Sequence, residues 1–186
     1  KLLREEKSDN STILDSVEED ISRLSEISER FSKIGSKPKL NSLSLNELIS
    51  EVSAYMNSRL PQNTRINITH AGDKNMKIKG DWVLLRWAVE NLVKNAIDAV
   101  GTGTGKISVN ISKSDNEVQL DILDTGRGIN RSNWKNIFRP GYSSKQRGWG
   151  LGLSLTQRIV EEIHGGSIRV LSSKPGKTIF RLNFQQ

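Results

Sequence analysis

The stretch WAVENLVKNAIDAV, residues 87–100, carries two patterns at once. Leu85, Val89, Leu92, Val93, Ala96 and Val100 fall on one side of a helix at 3.6-residue spacing, and Asn91, Asn95 and Asp98 fall on another. The apolar side needs a surface to cover, and the neighbouring segments supply one. GKISVNIS (105–112) and EVQLDIL (117–123) alternate as a strand pair, TRINIT (64–69) is a further strand, and GSIRVLSS (166–173) with KTIFRLNF (177–184) is a final pair. Ser44 and Glu47 form a capping box that opens a helix to about Arg59, and SLTQRIVEEIH (154–164) is a helix closed by Gly165. The layout predicts an α+β fold, a two-layer sandwich with helices on one face of a mixed sheet and the central helix running from about Asp81 to Val100.

The polar side of that helix asks for a ligand. Two asparagine amides one turn apart offer neutral oxygens suited to a hydrated Mg²⁺ whose other partners are phosphate oxygens, with an exposed polar face as the alternative. Glu90 and Lys94, on a different side, are spaced for a surface ion pair.

Composition bounds the rest. The 186 residues, 34% of them apolar, suffice for one full domain and an appendage. No apolar run approaches a membrane span and the N-terminus KLLREEKSDN is not a signal peptide, so the chain is expected to be cytoplasmic and free of membrane contact. The absence of cysteine excludes disulfides and thiolate metal sites, and His70 and His164 are too isolated for a zinc cluster. Net charge is +7, but residues 1–36 hold six bases and nine acids, leaving 22 bases and 12 acids beyond. A basic domain suits nucleic acid or a polyanionic small ligand.

Residues 1–36 are a separate object. Leu14, Val17, Ile21, Leu24, Ser28 and Phe31 follow alternating three- and four-residue steps, with Ile13, Ile27 and Ile34 widening the stripe and Gly35 and Pro38 ending it. Such a helix needs a partner, and the spacing favours an intermolecular bundle over packing on its own domain. Residues 37–43 are a linker, and 44–186 form the main domain.

Three further stretches carry chemistry. LDTGRGI (123–129) leaves a strand through an acid into a turn; Gly126 and Gly128 allow positive φ or close backbone approach, and the Asp124 carboxylate suits an exocyclic amine, with an ordinary Asp-turn as the alternative. NIFRPGYSSKQR (136–147) combines Phe138 and Tyr142 with Arg139, Lys145 and Arg147, as a flap over a charged ligand or as a plain surface loop. RGWGLGLSL (147–155) precedes a helix, and Gly148, Gly150 and Gly152 suit a phosphate cradle that is neither a Rossmann fingerprint nor a P-loop. GTGTGK (101–106) leads into a strand and is a turn.

In this order, ENLVKNAIDA, DTGRGI, IFRPGYSSK and RGWGLGLSL resemble the N box, first glycine box, F box and second glycine box of the ATP-binding domain of two-component histidine kinases, within the wider Bergerat-fold family of Hsp90, gyrase B and MutL. The resemblance runs from about Ser44 to Phe184. It implies that Asn91 and Asn95 hold Mg²⁺, with Asp98 nearby, that Asp124 binds the adenine amine, and that Gly126, Gly128 and Ile129 pass the base. It further implies a lid over residues 130–148 carrying Phe138, Tyr142, Lys145 and Arg147. Gly148, Gly150, Leu151, Gly152 and Leu153 then lie by the phosphates, and Thr178 lies near the adenine end.

One position indicates the branch. ATP-hydrolysing relatives use a glutamate four residues before the metal-binding asparagine, and here that slot is Asn91, which cannot act as a base. The resemblance therefore implies phosphoryl transfer to a histidine on a dimerisation hairpin, then to a response regulator receiver domain. LDSVEEDISRLSEISERFSKIG resembles the second helix of that hairpin, through which the intact kinase forms a homodimer, and KLLREE the tail of the first. No histidine precedes His70, so the acceptor is absent, and the chain is expected to be truncated after it and to bind ATP without phosphorylating itself. His164 is expected to cap a helix end and His70 to lie in a loop. Four nucleotide-site motifs leave no role for nucleic acid.

Overall fold

Asp81 starts the central helix. Its side chain accepts hydrogen bonds from the backbone N–H groups of Val83 (3.0 Å) and Leu84 (3.1 Å), satisfying two donors that a helix N-terminus leaves open. The computed structural model in which this is seen describes residues 38–60, 65–72, 75–114, 117–145 and 149–185, with Ile21, Ser25, Ser28 and Ser32. It divides into two units, Lys1–Pro38 and Lys39–Gln186. In the first, Ile21, Ser25, Ser28 and Ser32 are helical and the Ile21 side chain is exposed. The remainder of the predicted stripe, including Leu14, Val17, Leu24 and Phe31, lies outside the described residues.

The second unit runs β1 (Asn41–Ser44), α1 (Leu45–Ser58), β2 (Arg65–Ala71), β3 (Lys77–Gly80), α2 (Trp82–Val100), β4 (Thr104–Ser114), β5 (Glu117–Asp124), α3 (Gly152–Arg158), β6 (Ser167–Lys174) and β7 (Lys177–Gln185). Five strands make one sheet in the order β2-β4-β5-β7-β6. The β2–β4 pair is parallel and the other pairs are antiparallel, as a mixed sheet requires. β1 and β3 form a separate antiparallel pair that the alternation pattern does not reveal, because each has only four residues.

Alternation decides which face of the sheet is covered. Ile107, Val109 and Ile111 on β4, Val118, Leu120 and Ile122 on β5, and Phe180, Leu182 and Phe184 on β7 are buried. The helices bring Leu45, Leu48, Ile49 and Val52 from α1 and Leu84, Leu85, Ala88, Val89, Leu92, Val93 and Ala96 from α2. Each large side chain so buried contributes on the order of 1.5–3 kcal/mol. The opposite face is polar, with Asp121 receiving both hydrogen bonds of the Arg181 fork at 2.7 and 2.6 Å.

Ser44 caps α1 as its capping box predicts, its hydroxyl accepting from the Glu47 N–H at 3.3 Å. Two expectations need correction. Glu90 does not pair with Lys94; it meets Arg86 at 2.8 Å, and Arg86 also reaches Glu51 on α1 at 3.1 Å. A guanidinium one turn earlier on the helix can serve two carboxylates at once, which draws Glu90 toward α1. His70 lies inside β2, paired with Val109, rather than in a loop.

α3 passes into a π-helical turn, Ile159–Ile163, before Gly165 (φ 62°) ends it. The wider turn lets the His164 ring fold back. Its Nδ1–H donates to the Ile159 carbonyl (2.6 Å), and Nε2 accepts from the Asp81 N–H (3.0 Å). His164 thus joins the end of the α3 segment to the start of α2, a wider role than the predicted helix cap. The arrangement needs a neutral ring, and burial lowers the His164 pKa below its ordinary value of 6.5, against the opposing pull of the Ile159 carbonyl and Asp81. The unfolded chain therefore takes the proton first. Stability from this group is complete above about 6.5 and is lost as pH falls from there to the lowered folded value. Melting temperatures followed from pH 8 to pH 5 are expected to fall more for the native chain than for His164→Gln, and parallel curves would refute the link.

Candidate functional site

The inward alternation of β5 ends on a carboxylate. Val118, Leu120 and Ile122 are buried as apolar residues, and Asp124, next in that series, is buried at 3% exposure. Its Oδ1 accepts from the Gly126 N–H at 2.8 Å, and among the described residues no cation pairs with it. Burial pushes the Asp124 carboxyl above its ordinary 3.8, and the Gly126 hydrogen bond pulls it partly back. A buried, uncompensated carboxylate weakens a fold and gains its use from a ligand. Directly across the strand pair stands Thr178, 1% exposed.

Beyond Asp124 the turn lies hard against α2. The Arg127 N–H donates to the Ala99 carbonyl (3.1 Å), and the Gly176 N–H to the Gly126 carbonyl (2.8 Å). A side chain at Gly126 would put its Cβ 2.5 Å from the Ala99 carbonyl carbon, so close approach rather than positive φ explains this glycine. Gly128, at φ 80°, supplies the left-handed turn. Ile129 follows, its N–H donating to Ser173 Oγ at 2.7 Å.

The polar side of α2 divides in two. The Asn91 Nδ2 donates to Thr156 Oγ1 (2.9 Å), and that hydroxyl donates to the Gly152 carbonyl (2.9 Å). A Cβ on Gly152 would meet the end of the Asn91 side chain, so any larger residue here displaces the Asn91 amide. Asn95 Oδ1 and Asp98 Oδ2 instead converge on the Lys145 ammonium, the former at 3.0 Å. An amide and a carboxylate oxygen gathered round one cation are a donor set that fits a hard metal ion such as Mg²⁺.

The segment after Ile129 is anchored at its root. The Trp134 Nε1–H donates to the Ile129 carbonyl (3.1 Å), with the Arg131 guanidinium 4.0 Å above the Trp134 ring. Ile137 is buried, and the Phe138 ring meets Phe180 edge-on at 6.4 Å. Phe138 therefore turns toward the core, while Tyr142 and Trp149 are exposed. The Gly141 N–H donates to the Gly150 carbonyl (3.1 Å), closing the neck of the loop. Gly150 sits at φ 66°, and a Cβ there would lie 2.6 Å from the Tyr142 nitrogen, so the neck itself requires glycine. Leu151 and Leu153 are half-buried where α3 begins. Arg147 and Gly148 lie outside the described residues.

The structure thus gathers Asn91 with Gly152, Asn95 and Asp98 with Lys145, and Asp124 with Gly126 and Thr178. Two participants escape the sequence patterns. Thr156 is one helical turn past Gly152, a spacing that marks it only once α3 is known to face Asn91. Ser173 is hidden because strict alternation assigns it to the wrong face of β6.

A mixed five-stranded sheet covered on one face by helices is the architecture of the histidine kinase catalytic domain. The chain belongs to the histidine kinase-, DNA gyrase B- and HSP90-like ATPase family, whose model matches residues 80–186. Among curated relatives, sporulation kinase A of Bacillus subtilis is 32% identical over 152 residues, covering 80% of this chain and 25% of that protein. Sensor histidine kinase ZraS of Escherichia coli is 37% identical over 147 residues, covering 77% and 30%. The chain therefore spans about a quarter to a third of the length of such relatives. Among solved structures, the catalytic domain of histidine kinase ThkA superposes with a TM-score of 0.71 at 27% identity, covering 78% of this chain and 95% of that one. ThkA in complex with the response regulator TrrA gives 0.74 at 24% identity, covering 91% and 49%, a likeness of fold. Among the described residues no helix is long and apolar enough to cross a membrane.

Proposed function

We propose that residues 44–186 bind Mg-ATP and present its γ-phosphoryl group to a histidine on a dimerisation helix, for relay to a response regulator receiver domain. The observation that carries this reading is Asp124, a buried carboxylate with no cation partner among the described residues and a buried hydroxyl opposite. An acceptor held out of water suits the exocyclic amine of adenine.

In this reading Asn91 and Asn95 hold Mg²⁺, with Asp98 one turn on. Bound Mg²⁺ supplies charge neutralisation along the phosphates. Lys145 holds Asn95 and Asp98 here; a metal held by those oxygens would take its place, and the Lys145 ammonium would then be available to the γ-phosphoryl oxygens. Arg147, Gly148 and Gly150 belong to the same phosphate end, and Leu151, Gly152 and Leu153 align α3 with it. Phe138 anchors the lid through Phe180, and Tyr142 lies on its outer part. With Asn91 in the position of the hydrolytic base, no carboxylate activates water there, and positioning supplies the rate.

The helix within residues 1–36 serves as part of a dimerisation hairpin, which makes a second copy and the receiver domain the macromolecular partners, in the cytoplasm. The acceptor has to be another histidine, because His164 already uses both ring nitrogens. The test is calorimetric titration with a non-hydrolysable ATP analogue, with and without Mg²⁺. Binding in roughly the micromolar range is expected, strengthened by Mg²⁺ in the native chain and not in Asn95→Ala. The chain itself should remain unlabelled by γ-labelled ATP. A folded chain that ignores the analogue would overturn the reading, and phosphohistidine at His70 or His164 would overturn the account of the acceptor.

A further inference from the structure

Asp124, Thr178 and Ser173 form one row across three adjacent strands. Asp124 on β5 is the register partner of Thr178 on β7, and Thr178 is in turn the register partner of Ser173 on β6. Strict alternation forbids the third member. Ile168 and Val170 are the buried residues of β6, so the next inward position would be Ser172, with Ser173 facing solvent. A register shift between Val170 and Ser172 changes the parity. Leu171, 38% exposed, is the residue without a register partner, and after it Ser173 comes to the Thr178 side, where the two hydroxyl oxygens lie 3.0 Å apart. Ser173 Oγ also receives the Ile129 N–H at 2.7 Å.

These contacts give the row a direction. The Ile129 N–H occupies a lone pair of Ser173 Oγ and polarises its O–H, which makes Ser173 the better donor of the pair. On the other side of Thr178 the Asp124 carboxylate attracts the Thr178 proton toward itself. The run is then Ile129 N–H to Ser173, Ser173 O–H to Thr178, and Thr178 O–H toward the space beside Asp124. A base seated beside Asp124 would meet an acceptor, Asp124, next to a donor, Thr178. The six-membered edge of adenine offers the complement, an amine donor beside a ring-nitrogen acceptor. Guanine offers the reverse, a carbonyl acceptor beside an N–H donor.

We propose that Ser173, set by the β6 bulge, is a specificity-determining residue: by fixing the direction of the Thr178 hydroxyl it makes the pocket select adenine against guanine, directly or through a bridging water. The proposal rests on the nucleotide-site reading above. It assigns Ser173 a positioning role, acting through Thr178 and the 126–129 turn.

The test compares ADP and GDP binding by calorimetry for the native chain, Ser173→Ala and Ser173→Thr, each checked for an intact fold by circular dichroism and melting. In Ser173→Ala the Thr178 hydroxyl is free to reverse, so the preference for ADP over GDP should shrink roughly tenfold, the factor that about 1.4 kcal/mol of differential hydrogen bonding represents. Ser173→Thr restores the hydroxyl and should restore most of the preference. A uniform weakening of both nucleotides in Ser173→Ala, or an unchanged ratio, would overturn the proposal while leaving the site intact. A native chain that binds neither nucleotide would instead remove the site reading on which the proposal rests.

Discussion

Asp124→Asn is expected to weaken binding of the ATP analogue by roughly two orders of magnitude while raising the melting temperature. The first effect follows from exchanging a charged acceptor for an amide whose NH₂ can face the adenine amine donor to donor; a hydrogen bond to a charged group is worth about 1.5–3 kcal/mol, and its replacement here is repulsive. The second follows from burial. At 3% exposure and with no cation partner among the described residues, the carboxylate is held up in pKa by desolvation, so its charged form opposes folding. The Gly126 N–H then donates to the amide oxygen in place of the carboxylate, and the turn survives.

The pH dependence of that gain has a definite sign. The folded pKa of Asp124 lies above the unfolded value of 3.8, so the folded chain holds the proton more tightly. The cost of Asp124 is absent below about 3.8, grows as pH rises to the folded pKa, and is complete above it. The thermal advantage of Asp124→Asn should accordingly be largest at neutral pH and shrink on acidification through that window. Acidification thus removes a destabilising charge at Asp124, whereas at His164 it removes a stabilising contribution. A variant that binds the analogue normally would remove Asp124 from the site, and one that melts lower at neutral pH would refute the burial account.

Gly126→Ala is expected to damage stability and binding together. The added methyl would lie 2.5 Å from the Ala99 carbonyl carbon and 2.6 Å from its oxygen, and neither backbone atom can rotate away. The turn has to lift off α2, which strains the Arg127–Ala99 and Gly176–Gly126 hydrogen bonds and the Asp124 contact to the Gly126 N–H. Overpacking of this kind costs about 1–3 kcal/mol, to which each strained hydrogen bond adds. A fall in melting temperature of roughly 5 °C or more is expected, with at least a tenfold loss of nucleotide affinity. Gly152→Ala provides the contrast. Its methyl meets the end of the flexible Asn91 side chain, so binding should suffer while melting changes little. Equal losses of stability in the two variants would contradict the distinction between backbone and side-chain obstruction.

The main helices and strands, and the faces they bury, are legible in the residues alone. Inward alternation on β4, β5 and β7, the stripe on α2 and the Ser44 cap all follow from local rules, because burial of one face leaves a period that a single chain displays. The order of the four glycine and asparagine motifs was likewise legible, and with it the family. Which residues meet depends on how the elements pack. Glu90 chose Arg86 over Lys94 because α1 brought Glu51 to the same guanidinium, a contact no helical spacing contains. Lys145 and Asp98 are 47 residues apart and meet through the fold of a loop. Gly126 and Gly150 are hemmed in by backbone atoms of distant segments, Ala99 and the Gly141–Tyr142 bond, neighbours that the local glycine pattern does not name. Ser173 entered the row beside Thr178 through a one-residue bulge, and a bulge reverses every later inside-outside assignment on its strand. Periodicity records how each element meets the core as a whole. The site depends on single contacts between elements, and those are fixed by packing across the chain.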